Sequence, residues 1–205
     1  MRAKARNVRI SRIKPLAGDV EQFIAAQKQL DFTYAAVGST NEMLATSPNV
    51  DFVQVRLGDG AAAFEAARAA LERWDHFRLG WVEPCEPLAP IQAGEIAAIA
   101  IRAMGAWWLN AARIVYVVDE GGPVSRFGYA YGTLPGHAES GEERFLVEWD
   151  HATDEVTYSV LAFSRPRHWL ARFGRPLVRR FQHRFRRDSA STMKRAVRDA
   201  LARMG

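Results

Sequence analysis

Cysteine is nearly absent from this chain: Cys85 stands alone among 205 residues. That excludes an intramolecular disulfide framework and any metal site built from several cysteines, and it fits a reducing cytoplasm. Long apolar runs are absent too. The longest unbroken stretch, near Ile96 to Ile101, is far too short to cross a bilayer. The basic beginning is not followed by an apolar segment, so no secretory signal is expected and the protein reads as soluble and cytoplasmic. No Gly-x-Gly-x-x-Gly, Walker loop or Gly-x-Ser-x-Gly occurs. The five histidines (His76, His137, His151, His168 and His183) include no pair at the spacing of a helical metal site. Neither a metal nor another cofactor is therefore expected. Cys85 follows Pro84 with no histidine nearby, which argues against a thiol nucleophile.

What the chain does have is a divided charge. Residues 1–18 hold six Lys/Arg and no acid, residues 19–164 hold nine Lys/Arg against 21 Asp/Glu, and residues 165–205 hold 13 against two. Two basic ends flank an acidic body. Such ends can meet nucleic acid or anionic lipid, or they can fold back on the body. No helix-turn-helix, zinc-finger or RNA-recognition signature accompanies them, so no specific nucleic-acid partner is expected. Weak contact with an anionic membrane remains a reading for the Arg-rich C-terminal helix.

Periodicity divides the chain further. Residues 1–18 read as a basic N-terminal arm or edge segment, and residues 19–205 as one domain. Asp19 caps a short helix through about Lys28. Phe52–Leu57 alternates as a strand, and a helix runs from about Ala61 to Trp74, with Asp59 as a candidate cap. Strands follow near Phe77–Val82, Glu95–Ala103, Asn110–Asp119, Val124–Thr133, Glu143–Asp150 and Val156–Ser164. Glu120-Gly-Gly-Pro123 and His151-Ala-Thr-Asp154 are hairpin-length reversals. A long C-terminal helix follows, divided near Gly174 and Pro176, with Leu177, Phe181, Phe185, Met193, Val197 and Leu201 as its apolar stripe. Asp188 and Ser189 are expected to loosen it. The class is α+β, with seven antiparallel strands and a terminal helix.

The densest motif is Tyr131 to Phe145, in which a Pro-Gly turn carrying His137 joins two alternating strands. Phe163-Ser-Arg-Pro166 follows, and Tyr34-x-x-Val-Gly-Ser-Thr40 precedes it. Together these segments resemble the domain-of-unknown-function family nineteen-ninety, over residues 31 to about 187. The family name carries no reaction. The order of elements is similar to the helix-grip fold of the START and birch-pollen-allergen superfamily, a curved seven-stranded sheet around a long C-terminal helix. The resemblance to that fold implies a cavity between sheet and helix.

Several residues could line such a cavity. Tyr129 and Tyr131 share one face of their strand and combine an apolar ring with a hydroxyl, and the same rings could be ordinary core. Gly128, Ala130 and Gly132 occupy the opposite face, where something large could approach closely. Arg113 sits in an apolar run and could meet Glu95, Glu143 or a ligand carboxylate, or lie exposed. Trp169, Phe173, Leu177 and Phe181 are the expected helix wall, enclosing roughly 300 Å³ or more. His137 and Glu142 are close across a short turn and could form an acid–base pair at the mouth with Tyr131; alternatively the turn is purely structural. Three functions follow: a module binding a small apolar or amphipathic molecule, a cofactor-independent cyclase, lyase or hydrolase using His137 and Glu142, or a protein docking to anionic surfaces. The oligomeric state is not legible.

Overall fold

From Ile96 to Pro166 the chain runs almost continuously through strands joined by short reversals. The structure, a computed structural model, describes residues 8–42, 46–47, 50–166 and 175–204. In chain order the elements are β1 (Arg9–Ser11), α1 (Ala17–Gln27), β2 (Asp51–Asp59), α2 (Gly60–Glu72), β3 (Val82–Pro84), β4 (Ile96–Ala103), β5 (Ala106–Glu120), β6 (Val124–Thr133), β7 (Glu139–Asp150), β8 (Glu155–Pro166) and α3 (Arg175–Leu201). Seven strands form one antiparallel path, β2-β8-β7-β6-β5-β4-β3, and β1 pairs with β5. The reversal between β4 and β5 places Met104 and Gly105 at φ 52° and 73°. Positive φ at both central residues matches the right-handed twist of the flanking strands. Bulges at Arg56/Gly58 in β2 and Ile114/Tyr116 in β5 bend the sheet.

The concave face carries Tyr129, Tyr131, Phe145, Val147, Tyr158 and Val160, which alternate with residues of the opposite face. Among the described residues, two helices cover it. Helix α2 buries Ala63, Phe64, Ala67, Ala70 and Leu71, and α3 buries Met193 and Val197. The alanines let α2 approach closely: a Cβ at Gly58 of β2 would lie only 3.1 Å from the Ala63 side chain. A second cluster joins Val20 and Phe23 of α1 to Ile96, Ala98, Leu109 and Ala111 on the convex face. The result is the helix-grip arrangement, a curved antiparallel sheet holding the C-terminal helix.

Several expectations need correction. Phe77–Val82 is not a strand. Asp75–Phe77 is a 3-10 turn entered through Trp74 at φ 59°, and pairing begins only at Val82. Phe77 and Trp81 are buried in the main core, so their apolar character records packing rather than strand alternation. Asp19 is the third residue of α1, not its cap, and its carboxylate accepts from the Leu16 N–H at 3.2 Å. Asp188 and Ser189 do not interrupt α3. Asp188 accepts from Trp81 Nε1 at 3.1 Å, and the Ser189 hydroxyl meets Tyr158 Oη at 2.9 Å. Both polar residues are thereby satisfied within a continuous helix. Of the expected division near Gly174 and Pro176, Pro176 lies in the first turn of α3, where its missing N–H costs nothing, and Gly174 lies outside the described residues.

Candidate ligand-binding site

Between the concave sheet and α3 the packing opens into a cavity of about 260 Å³. It is smaller than the space expected from the sequence. Phe77, Trp81, Ile99, Ile101, Phe181 and Phe185 supply its apolar surface. Their convergence follows from strand parity: Ile99 and Ile101 are two apart on β4, and Trp108 and Asn110 likewise on β5. Phe181 packs on Trp81 with ring centroids 5.8 Å apart, and Phe185 on Phe77 at 5.1 Å. Met104, at the β4–β5 reversal, is 63% exposed and also lines the cavity, so it marks the rim.

One wall is polar. Tyr131 Oη donates to Glu143 Oε2 at 2.9 Å, directly across the β6–β7 pairing. Burial pushes the Glu143 carboxyl up to about 7; the Tyr131 hydrogen bond and the Arg186 charge oppose that rise, while the charges of Glu139 and Asp51 add to it. Arg186 is 8% exposed and pairs with Asp51 at 3.2 Å. Gln182 Nε2 donates to Glu139 Oε2 at 2.9 Å and to Ser164 Oγ at 3.0 Å. His137 stands on the same wall. Its Nδ1 accepts from the Glu139 N–H at 3.0 Å, and burial lowers its pKa to about 4. It is therefore a neutral imidazole with its proton on Nε2.

His137 and Glu142 both border the cavity, but their side chains bond to different partners and form no pair. Glu142 and Glu143 are consecutive in β7 and point to opposite faces. The Glu142 carboxylate, on the convex side, accepts from Tyr34 Oη at 2.6 Å, the Gly38 N–H at 2.7 Å, the Thr40 N–H at 2.9 Å and the Thr40 hydroxyl. Gly38 has φ 84°, which turns its amide toward the carboxylate at no steric cost. Arg144 Nη1 then donates to Thr40 O at 2.9 Å. The segments Tyr34–Thr40 and Tyr131–Phe145, separate in sequence, thus meet at one buried side chain. The small face of β6 has the same occupant. A Cβ on Gly132 would lie 2.1 Å from Tyr34 Oη and 2.9 Å from the Phe32 ring. At Gly132 that face accommodates the N-terminal segment, and at Gly128 a Cβ would meet Phe145 O and Leu146 of β7.

The other candidates separate. Tyr131 and Phe181 line the cavity. Tyr129 is fully buried in the core beside it, and its hydroxyl meets His76 Nε2 at 2.8 Å. Arg113 is on the convex face and donates to Gln27 O at 3.3 Å and Lys28 O at 3.0 Å, satisfying carbonyls at the end of α1. It has no part in the cavity, and its apolar neighbours reflect the alternate face of β5. Trp169 and Phe173 lie outside the described residues. Sequence reasoning did not assign Glu143 to the site, although a signal was there: Glu143 is in phase with Phe145 and Val147, the inward apolar residues of β7. His76 carried no such signal, because it belongs to no periodic element.

Residues 33–192 match the family described as Domain of unknown function (DUF1990). The chain belongs to this family. A UPF0548 protein of Dictyostelium discoideum is 38% identical over 203 residues, covering 90% of this chain and 94% of that protein. One from Deinococcus radiodurans is 35% identical over 197 residues, covering 89% and 96%. Among solved structures, protein NE0264 of Nitrosomonas europaea aligns with TM-score 0.49 and 9% identity, covering 75% of this chain and 96% of that one. Human STARD10 aligns with TM-score 0.47 and 11% identity, covering 91% and 81%. Among the described residues of this DUF1990 protein, no helix is long and apolar enough to cross a membrane, and no cluster of three or more His, Cys, Asp or Glu could hold a metal ion.

Proposed function

We propose that the protein binds a small amphipathic molecule in the cavity between the sheet and α3. The observation that carries the reading is the division of the cavity into an apolar body and one polar wall. Apolar surface supplies affinity, and a few placed polar groups supply orientation. At about 260 Å³ the space lies just under the roughly 300–1,000 Å³ of drug-sized sites, which fits a compact ligand or a short aliphatic segment. Native mass spectrometry of protein purified from its own host tests the reading. A noncovalent adduct is expected that disappears on denaturation and in Ile99→Trp, which fills the space with an indole. An adduct retained undiminished in Ile99→Trp places the ligand elsewhere and overturns the reading.

A second reading is favoured by one observation. A carboxyl with its pKa raised to about 7, hydrogen-bonded to a tyrosine beside an apolar space, is suited to proton transfer near neutral pH. If the cavity houses a cofactor-independent lyase, cyclase or hydrolase, its acid–base group is Glu143. Loss of turnover in Glu143→Gln with ligand uptake retained is the result expected of that enzyme.

A further inference from the structure

Hydrogen-bond accounting on the polar wall points to one class of ligand head group. Carboxylates only accept, so the bond from Gln182 Nε2 to Glu139 fixes the orientation of the Gln182 amide. Its Oε1 is then buried with no partner among the described residues. Tyr131 has one proton, and it goes to Glu143 Oε2. Glu139 and Glu143 each keep a second oxygen that accepts no hydrogen bond from any described residue. Arg186, the cation on this wall, is engaged by Asp51 at 3.2 Å, and its Nη2 lies 3.3 Å from His183 Nδ1. The wall is rich in acceptors and short of donors.

We infer that the cavity selects an amphipathic molecule whose polar end donates hydrogen bonds, an alcohol or an amine, and rejects carboxylates and other anions. The inference rests on the ligand-binding reading above and narrows it. A hydroxyl gives its proton to a carboxylate oxygen, and its own oxygen can accept from a donor such as His137 Nε2. An ammonium group meets two carboxylates. An anion would lose its water to face two like charges and a guanidinium already engaged by Asp51, a desolvation that the His137 Nε2–H on this wall offsets only in part.

Isothermal titration of the full chain with octan-1-ol, octylamine and octanoate tests this, because the three probes share one tail. At pH 8, where Glu143 is ionised, octylamine and octan-1-ol should each bind at least about tenfold more tightly than octanoate, the ratio one charged hydrogen bond supplies. Glu143→Gln should reduce the affinity for octylamine by about tenfold and change that for octan-1-ol less. Glu139→Gln should act in the same direction and serves if the first variant folds poorly. Octanoate binding as tightly as the other two overturns this inference and leaves the cavity reading standing. Binding of none of the three, by a protein that also carries no host-derived adduct, overturns both. Octylamine affinity unchanged in both variants removes the head group from this wall and overturns the inference.

Discussion

Replacing Glu142 by alanine isolates the contribution of the convex clasp. The carboxylate is 2% exposed and accepts from four donors, two of them backbone amides that have no other acceptor in place. A donor left unpaired in a buried site costs about 1–3 kcal/mol. Tyr34 is only partly buried and can turn toward water, so its share is smaller. The amides of Gly38 and Thr40 are fixed by the turn and cannot. Removing one partner from a buried charged network of this kind costs about 3–5 kcal/mol, which for a chain of this length lowers Tm by on the order of 10 °C. Urea unfolding followed by tryptophan fluorescence gives the magnitude, and amide hydrogen exchange over residues 33–40 gives the location. A loss below about 1 kcal/mol, with exchange protection of that segment intact, would refute the assignment of Glu142 as the group that holds the N-terminal segment to the sheet. Thr40→Ala supplies the second edge of a double-mutant cycle, and a coupling of about 1–2 kcal/mol is expected.

Three further predictions follow from the same geometry. Gly132→Ala should destabilise by about 1–3 kcal/mol in urea titration, because the new methyl meets Tyr34 and Phe32 at under 3 Å; a neutral result would mean that segment is not seated there. Acidification should reduce stability between roughly pH 6.5 and 4. Unfolded histidines take up protons near 6.5, whereas burial holds His76 near 3 and His137 near 4 in the folded state, so the unfolded chain binds more protons in that window and each histidine contributes a slope of up to about 1.4 kcal/mol per pH unit. Glu143 works in the opposite direction, because its raised folded pKa favours proton uptake by the folded state from about pH 4.5 to 7; Glu143→Gln should steepen the loss and His76→Phe should flatten it, and unchanged slopes in both would contradict the burial of these groups. His137→Ala should weaken octan-1-ol binding measured by calorimetry while shifting Tm little, since its one side-chain bond within the described residues is to the Glu139 amide; lost stability with unchanged affinity would make the turn purely structural.

The strands from Glu95 onward were legible because alternation and glycine-bearing reversals are local signals. Their pairing order followed from hairpin-length loops. What alternation could not reveal was the partner on each face. The small residues of β6 pointed to a close approach, but only the fold shows that Phe32 and Tyr34, about a hundred positions earlier, make it at Gly132. Arg113 was ambiguous for the same reason: whether an arginine among apolar residues faces a cavity or a helix end depends on α1, whose place on the sheet no local pattern encodes. The doublet Glu142-Glu143 is the sharpest case. Proximity in sequence linked His137 to Glu142, but strand parity turns the two carboxylates to opposite faces, and it is the Glu143 carboxyl that meets Tyr131 on the cavity wall. Phe77 and Trp81 were misread because a buried irregular segment and a buried strand are equally apolar.

The same doublet makes one strand answer to two environments. Glu142 anchors β7 from outside through four hydrogen bonds, so the backbone that carries Glu143 has little freedom left when a ligand arrives. A head group settling against Glu143 then meets a wall already set in position, and the ordering entropy that a mobile wall would lose on binding has been met during folding. On the proposed binding reading, affinity then depends on residues 34–40, which do not line the cavity: loosening Tyr34 or Thr40 should appear in the calorimeter as a more unfavourable binding entropy at nearly constant enthalpy.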